Sequence, residues 1–213
     1  MRLPTLTPGR SPAYPAPQRR RPKAMDVTQT SDSRESTFYR DAIRRRRAFA
    51  LPGYRTLAEE GFDGDYVSPI QITCGNLTGP MLITKDWLDA PSANANRAIL
   101  ERQGHLGDNP FMRVIDLALQ LASLSRDQIY ITPVFALLTA KRSSVIPIRD
   151  RRASFRAVGQ YELMGRRPVA CGTDAAAVLR SEGVDHVETL HPSARGMTFE
   201  ARAQRIAKAL EAA

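Results

Sequence analysis

The stretch VETLHPSARG (Val187–Gly196) decides the fold, together with the earlier stretch MLITKDW (Met81–Trp87). Each is a short apolar run that stops abruptly at polar, turn-forming residues, as a buried strand does where it enters a loop. In a chain that alternates strands and helices, the carboxyl ends of parallel strands lie along one edge of the sheet, where ligand sites assemble. We therefore expect Asp86 and His191 to lie at that edge, one on each of two strand ends.

The turn after the last strand has the composition of an anion site. Pro192 ends the strand because it has no amide hydrogen to donate. Ser193, Arg195 and Gly196 follow, just before the final helix, where a hydroxyl, a guanidinium and backbone amides can hold a phosphate. Taken alone, Ser193 is equally typical of a residue that caps a helix start.

The hydrophobic pattern predicts four strands that alternate with helices. Strands are predicted over residues 81–84, 129–132, 168–172 and 187–190. Helices are predicted over residues 37–48, 94–103, 112–122, 174–181 and 199–212, with another that starts near residue 151. This alternation predicts an α/β protein, a three-layer α/β/α sandwich with a central four-stranded parallel sheet.

Length and composition indicate one domain with a basic extension. Residues 1–24 hold six prolines and six Lys or Arg but no acidic residue, so they bury too little surface to offset their ordering entropy. We predict a disordered, basic, Pro-rich tail over residues 1–36 and a single domain over residues 37–213. A chain of 213 residues has room for one α/β core of this kind.

The charge balance favours a polyanionic partner. The chain has 31 Lys and Arg against 22 Asp and Glu, a net charge of +9, and DNA or RNA is the first candidate. Part of the excess lies in the tail, so a solubilising extension fits the charge equally well. Arg142 and Arg149 lie in a basic segment, residues 139–156, that suits a nucleic-acid backbone. The run Arg44–Arg47 fits either a solvated helix face or a phosphate contact.

Several classes of protein are excluded. Cys74 and Cys171 lie far apart and belong to no CxxC pair, so a four-cysteine zinc or iron–sulfur site cannot form from this chain alone. There is no run of about 18 apolar residues and no signal-peptide pattern. We expect a cytoplasmic, nucleoid-associated monomer that binds DNA, contacts no membrane and uses no metal or cofactor.

Four segments resemble, in order, the motifs of the uracil-DNA glycosylase superfamily. They are TKDWL (Thr84–Leu88), GDNPF (Gly107–Phe111), IYITP (Ile129–Pro133) and HPSARG (His191–Gly196), and the resemblance covers about residues 76–212. It implies a DNA glycosylase that hydrolyses the N-glycosidic bond of a flipped-out uracil or other deaminated or damaged base, in base excision repair and without a cofactor. HPS alone is a common tripeptide, whereas four ordered matches at strand ends are specific.

The resemblance also implies roles for individual residues. Asp86 would stabilise the positive charge that develops on the sugar or orient the attacking water, and His191 would donate to the departing base. Phe111 would stack on the extruded base, with Lys85 and Trp87 near it in the turn beside Asp86. Taken without the other motifs, Asp86 is typical of a residue that caps a turn and His191 of a structural histidine. Phe111 taken alone is typical of a core residue. Trp87 would equally well cover the edge of the sheet.

The chain departs from the family at Pro133. Uracil-reading members generally carry an asparagine there, whose amide pairs with the edge of uracil, whereas proline has no side-chain donor or acceptor. Asn94, Asn96 and Asn109 are the candidates to replace it from nearby loops. Two alternatives to the glycosylase therefore stay open: a non-catalytic nucleic-acid-binding module of the same fold, and a hydrolase of free nucleosides or nucleotides.

Overall fold

The computed structural model describes residues 27–213, with side chains from residue 37 onward. In these residues the chain forms seven α-helices and four β-strands: α1 (Val27–Ala48), β1 (Met81–Thr84), α2 (Ala90–Ala95), α3 (Arg97–Gln103), α4 (Pro110–Leu121), β2 (Tyr130–Pro133), α5 (Ile148–Ala157), β3 (Val169–Cys171), α6 (Thr173–Ser181), β4 (Val187–Thr189) and α7 (Phe199–Glu211). Short 3₁₀ turns occur at Pro69–Ile72, Arg126–Gln128 and Gly159–Glu162.

The four strands form one parallel sheet in the order β2-β1-β3-β4. From β1 the chain passes to β2 on one side and then crosses to β3 on the other side. The order of the strands therefore reverses at β1, and the crevice outside the carboxyl end of such a strand is the usual ligand position in open α/β sheets. The predicted α/β class and the parallel four-stranded sheet are confirmed.

Helices cover both faces of the sheet, because successive side chains of a strand point to opposite faces. Leu82 and Ile131 pack with α4 and α7 on one face. Met81 and Ile83 pack with α5 and α6 on the other. All four side chains are at most 1% exposed, and burial of each contributes roughly 1.5–3 kcal/mol.

Helix α4 shows how its sequence sets its position. The side-chain oxygen of Asn109 accepts from the Met112 amide at 2.8 Å, and Pro110 occupies the first turn, where its missing amide hydrogen is not needed. The helix then buries one apolar face, formed by Met112, Val114, Ile115, Ala118 and Leu119. The predicted helix over residues 112–122 is confirmed, and it begins two residues earlier.

Other boundaries differ from the predictions. Helix α1 begins at Val27, so residues 27–36, assigned to the tail from the sequence, form its first part. Residues 1–26 lie outside the described part of the chain, and so does the disorder predicted for them. Within α1, Ile43 is 5% exposed and Phe38 is 54% exposed, so Ile43 lies on the packed face of the helix and Phe38 does not.

Two helix starts were also misplaced. The predicted helix over residues 94–103 is two helices, because the chain breaks at Asn96, and the first of them begins at Ala90. Asp89 caps that helix by accepting from the Ser92 amide at 3.0 Å. Helix α6 begins at Thr173, one residue before the predicted start at residue 174, and Gly172 occupies its N-cap position.

The run Arg44–Arg47 is neither a purely solvated face nor a free phosphate-binding patch. Arg46 is 3% exposed and donates to Asp63 at 2.7 Å and to the carbonyl oxygens of Gly64 and Tyr66 at 2.8 and 2.9 Å. The other three pair with nearby acids: Arg44 and Arg45 with Asp41, and Arg47 with Asp63 and Asp65. The run thus ties α1 to the loop that follows it.

No helix in residues 27–213 is both long enough and apolar enough to span a bilayer.

Candidate active site

A cavity of about 620 Å³ lies at the carboxyl edge of the sheet. Each strand contributes to its wall through its last residues or those just beyond: Asp86 after β1, Pro133 of β2, Gly172 after β3 and His191 after β4. The volume falls within the range of about 300–1,000 Å³ that is usual for small-molecule sites. Nine of the residues singled out from the sequence line it: Lys85, Asp86, Trp87, Asn109, Phe111, Pro133, Arg142, His191 and Ser193.

Three of the predicted site residues do not line the cavity. Arg149 has an 85% exposed side chain that pairs with Asp150 at 3.2 Å. Arg195 and Gly196 are exposed in the loop between His191 and α7. The structure therefore brings together the predicted catalytic and base-contacting residues, and leaves these predicted DNA contacts at the surface.

Asp86 is held at the end of β1 by pairing that continues past the strand. The Val134 amide donates to the Thr84 carbonyl at 2.8 Å, and the Phe135 amide donates to the Lys85 carbonyl at 3.1 Å. Burial raises the pKa of Asp86, while the nearby charges of Lys85 and His191 act in the opposite direction. The site thus contains a carboxylate that is poorly hydrated and close to a cationic partner.

Lys85 is the cationic partner. Its Nζ lies 3.2 Å from Oδ2 of Asp86 and donates to the Ser144 carbonyl at 3.3 Å. The ammonium therefore joins the acid to the loop that carries Arg142. Lys85 contacts Asp86 and this loop, whereas the resemblance implied a position near the base.

His191 presents a defined tautomer to the cavity. The backbone amide of Ser193 donates to its Nδ1 at 3.1 Å. Because an amide nitrogen can only donate, Nδ1 accepts and the neutral ring carries its hydrogen on Nε2. Burial lowers the pKa of His191, which Asp86 partly counteracts, so the neutral form is favoured. This contact uses the Ser193 amide, which is therefore not available to a phosphate.

Arg202 of α7 holds the turn that contains His191. Its Nη1 donates to the Pro192 carbonyl at 2.7 Å, and its Nε donates to the Thr198 carbonyl at 3.2 Å. The guanidinium also lies 4.6 Å from the ring centroid of Phe199. Sequence reasoning missed Arg202, because an arginine in an amphipathic helix is usually solvent-exposed, whereas this one is 6% exposed.

Gly172 allows His191 to lie against the end of β3. A Cβ at position 172 would come within 3.0 Å of the His191 Cβ and 3.5 Å of its Cδ2. The backbone there has φ 94° and ψ 163°, a region essentially restricted to glycine. The sequence showed a glycine after a strand, but the close approach depends on where His191 lies.

Phe111 and Trp87 differ in how they line the cavity. The Phe111 ring, half-buried in the first turn of α4, has its centroid 5.6 Å from that of His191, with the ring planes inclined at 50°. Trp87 uses its only N–H on the Gly104 carbonyl, at 2.8 Å, and packs edge-on against Phe62 at 5.2 Å. Phe111 thus adjoins the imidazole, whereas Trp87 mainly supports the wall.

The three asparagines considered as replacements at Pro133 are all engaged elsewhere. Asn109 lines the cavity, but its oxygen caps α4 and its Nδ2 donates to the Leu106 carbonyl at 3.0 Å. Asn94 and Asn96 do not line the cavity; Asn94 bonds to Glu60, and Asn96 donates to the Ser92 carbonyl at 2.9 Å. Asn109 therefore enters the cavity wall with its side chain already engaged, whereas Asn94 and Asn96 lie outside that wall.

Cys171 and Ser68 are among the lining residues that the sequence did not single out. Cys171 is 1% exposed, and burial raises the pKa of its thiol to about 12, so it is an apolar wall residue and not a nucleophile. Ser68 is equally buried, and its hydroxyl has no hydrogen-bond partner among the described residues. No sequence signal marked Ser68, because it lies in the irregular segment between α1 and β1.

Metal ligands do not converge in the described part of the chain: no three His, Cys, Asp or Glu side chains there are close enough to hold an ion. Comparison with known proteins gives no relative either, because no protein-family model and no curated protein matches the chain. Any function assigned to this site therefore depends on its geometry and chemistry.

Proposed function

We propose that the protein is a DNA glycosylase that hydrolyses the N-glycosidic bond of a flipped-out uracil or another deaminated or damaged base. One observation carries this proposal: Asp86, Phe111 and His191, from three distant parts of the chain, line a single cavity. A carboxylate, an aromatic ring and a neutral imidazole are the groups that this reaction needs around the base and the sugar.

The reaction separates charge, and the two polar groups match that separation. As the bond between the sugar C1′ and the base nitrogen breaks, its electron pair leaves with the base and positive charge develops on the sugar. The carboxylate of Asp86 would stabilise that charge and accept a proton from the water whose oxygen bonds to C1′. The Nε2–H of His191 would donate to the oxygen on which the negative charge of the base collects.

Burial makes both groups more effective. The same low hydration that raises the pKa of Asp86 strengthens its attraction for a developing cation, because the local dielectric constant is low. The lowered pKa of His191 keeps the ring neutral, so it donates a hydrogen bond without giving up its proton. Both interactions are strongest in the transition state, because the charges on the sugar and the base develop there.

The rest of the cavity suits a base that has left the duplex. Extrusion of a base costs roughly a few kcal/mol, which stacking on the Phe111 ring would partly offset. Arg142 lies at the exposed rim, where a cation can approach the phosphate backbone. A DNA substrate would place the protein at the nucleoid in the cytoplasm, and we expect it to act there as a monomer.

The direct test is release of free base from oligonucleotides that contain uracil, hypoxanthine or xanthine, both single-stranded and double-stranded. We expect release from at least one of these substrates. Folded protein that releases none of these bases would contradict the proposal. Assay of the corresponding mononucleosides in parallel separates a DNA glycosylase from a nucleoside hydrolase, which would prefer the small substrates.

The pairing of Asp86 with Lys85 favours a second candidate, a non-catalytic nucleic-acid-binding module. An ammonium that stays 3.2 Å from the acid would oppose its action on a sugar cation. This alternative predicts binding whose log affinity falls linearly with log salt concentration and does not change in Asp86→Asn. The two functions are therefore separated by one variant measured in both assays.

A further inference from the structure

The hydroxyl of Ser68 is a buried polar group that the fold leaves unpaired. Ser68 is 1% exposed and precedes the turn Pro69–Ile72 as its N-cap residue. The Gln71 amide of that turn donates to the Ser68 carbonyl at 3.0 Å, and the Ser68 Oγ makes no hydrogen bond within the geometric limits to any described residue. An unpaired buried hydroxyl is costly, and native proteins contain few of them. Ser68 also lines the cavity that holds Asp86 and His191. A ligand in the cavity is thus the available partner for this hydroxyl.

Ser68 and His191 both line the cavity, Ser68 next to the turn that packs on one edge strand and His191 just after the other edge strand. The turn Pro69–Ile72 packs against β2, and Gln71 of that turn donates to the Tyr130 hydroxyl at 2.8 Å. His191 follows β4, and β2 and β4 are the two edges of the sheet. These edges are three strand spacings, about 14 Å, apart. A flat ligand between them would meet the imidazole at one end and the serine at the other.

A buried amide holds Ser68 in place. The Oε1 of Gln71 accepts from the backbone amides of Val67 and Ser68 at 2.9 and 3.2 Å. The Nε2 of the same side chain donates to Glu162 at 3.0 Å. This bond anchors the Gln71 side chain to the turn Gly159–Glu162. The backbone of Ser68 is therefore fully engaged while its hydroxyl is left unpaired, as expected of a preorganised ligand contact.

We propose that Ser68 binds the edge of the extruded base that lies opposite His191, in the place left without a polar side chain by Pro133. This inference deepens the proposed function and rests on it. The class of ligand is a base with a lactam edge, a ring N–H next to a carbonyl, as in uracil, hypoxanthine and xanthine. A hydroxyl accepts from the N–H or donates to the carbonyl, so it binds either group.

A hydroxyl reads such an edge less strictly than an amide does. An asparagine pairs with a donor and an acceptor at once, whereas the Ser68 hydroxyl can rotate to suit one group at a time. We therefore expect the protein to accept more than one deaminated base. The loss of the hydroxyl should weaken binding of each lactam base without affecting the folded protein.

The experiment compares wild-type protein with Ser68→Ala. The affinities for free uracil, hypoxanthine and xanthine are measured by calorimetry, and base release is measured on the three oligonucleotides. We expect Ser68→Ala to bind the preferred base about 5- to 100-fold more weakly, the usual effect of one buried hydrogen bond. Its melting temperature should stay unchanged or rise, because an unpaired buried hydroxyl is removed.

Ser154→Ala is the matched control. Ser154 is also 1% exposed, but its Oγ accepts from the Ala136 amide at 2.9 Å and it lies away from the cavity. Loss of that bond should lower the melting temperature by about 2–4 °C or more and leave base affinity unchanged.

Three results would overturn the role of Ser68: equal base affinity in wild type and Ser68→Ala, a melting temperature that falls in Ser68→Ala as in the control, or a wild type that binds none of the three bases. Failure of the proposed function looks different. In that case the wild type binds a free base, Ser68→Ala binds it more weakly, and neither protein releases base from DNA.

Discussion

Two carboxyl groups, the buried one of Glu162 and the partly buried one of Asp86, have opposite surroundings in this protein. Glu162 is 0% exposed and accepts hydrogen bonds from the Tyr130 hydroxyl, from Thr132 Oγ1 at 3.0 Å and from Gln71 Nε2 at 3.0 Å. Asp86 instead pairs with the ammonium of Lys85 and faces a cavity of about 620 Å³.

The difference shows which polar groups hold the fold and which are kept for a ligand. Around Glu162, hydroxyl and amide donors surround the acid, and its hydrogen bonds tie β2 to the turns at Pro69–Ile72 and Gly159–Glu162. Around the cavity, the Ser68 hydroxyl has no hydrogen-bond partner among the described residues. Asp86 forms an ion pair with one side chain, that of Lys85. A buried polar group whose hydrogen bonds are all made stabilises the fold, whereas a group with a hydrogen bond left to make can bind a ligand.

The largest expected effect is on activity at the cavity. Asp86→Asn should lower base release by about 10²- to 10³-fold, because the carboxylate acts on charge present only in the transition state. The melting temperature should change by no more than a few degrees, since asparagine has the same shape and removes a poorly hydrated charge. Steady-state or single-turnover release from the preferred oligonucleotide measures the effect.

Asp65→Asn is the control for Asp86→Asn. Asp65 has a 91% exposed side chain, pairs with Arg47 and does not line the cavity, so the variant should release base at the wild-type rate. Equal rates in wild type and Asp86→Asn would remove Asp86 from the reaction and favour the binding module.

The reverse pattern is expected at Glu162. Glu162→Ala should lower the free energy of unfolding by about 2–4 kcal/mol, because it leaves the Tyr130, Thr132 and Gln71 donors without their acceptor inside the protein. Urea unfolding measures this change. Glu162→Gln, which retains one acceptor oxygen, should cost less. If Glu162→Ala were no less stable than Asp86→Asn, the contrast between the two carboxyl groups would be lost.

The pH dependence of stability sharpens the same contrast. Burial raises the pKa of Glu162 from 4.5 to about 7, so the folded protein binds a proton there more tightly than the unfolded chain. The resulting stability is fully present below about pH 4.5 and is lost as the pH rises to about 7, an effect on the order of 3 kcal/mol. Urea unfolding between pH 4.5 and 8 should show this slope in the wild type, and Glu162→Gln should lack it.

A smaller effect is expected where the backbone supports the imidazole. Gly172→Ala should lower the free energy of unfolding by about 1–3 kcal/mol and should also slow base release, since the new methyl group presses on His191. Gly183→Ala is the matched control, because Gly183 also has a positive φ, of 70°, but nothing lies within 4 Å of an added Cβ. A control that slowed base release as much would show that His191 is not positioned by Gly172.

The smallest expected effect is at the rim. Arg142→Ala should reduce the slope of log affinity against log salt for an oligonucleotide by about 1, with a modest loss of affinity. Arg180→Ala, which removes an α6 guanidinium that pairs with Glu188 of β4, should leave the slope unchanged. Fluorescence anisotropy at several salt concentrations distinguishes them. Identical slopes in the two variants would mean that Arg142 does not contact the phosphate backbone.

Most of the fold could be predicted from the sequence, because its signals are local. Short apolar runs that end at Pro133 or Gly172 identify strands, and the apolar spacing of α4 and α7 identifies the helix faces that cover them. Where the prediction was wrong, a distant partner decided the outcome. Arg46 is buried because Asp63 and two carbonyl oxygens from the following loop bind it, and no local pattern shows that loop.

The sequence by itself determined that Asp86 and His191 would follow parallel strands, since apolar runs and turn residues set where strands end. Only the tertiary structure decided what these residues meet: the Lys85 ammonium that approaches Asp86, the Ser193 amide that selects the tautomer of His191, and the unpaired hydroxyl of Ser68. The physical reason is that pKa shifts and hydrogen bonds fall off within a few ångströms, so they depend on contacts that a chain makes only when folded.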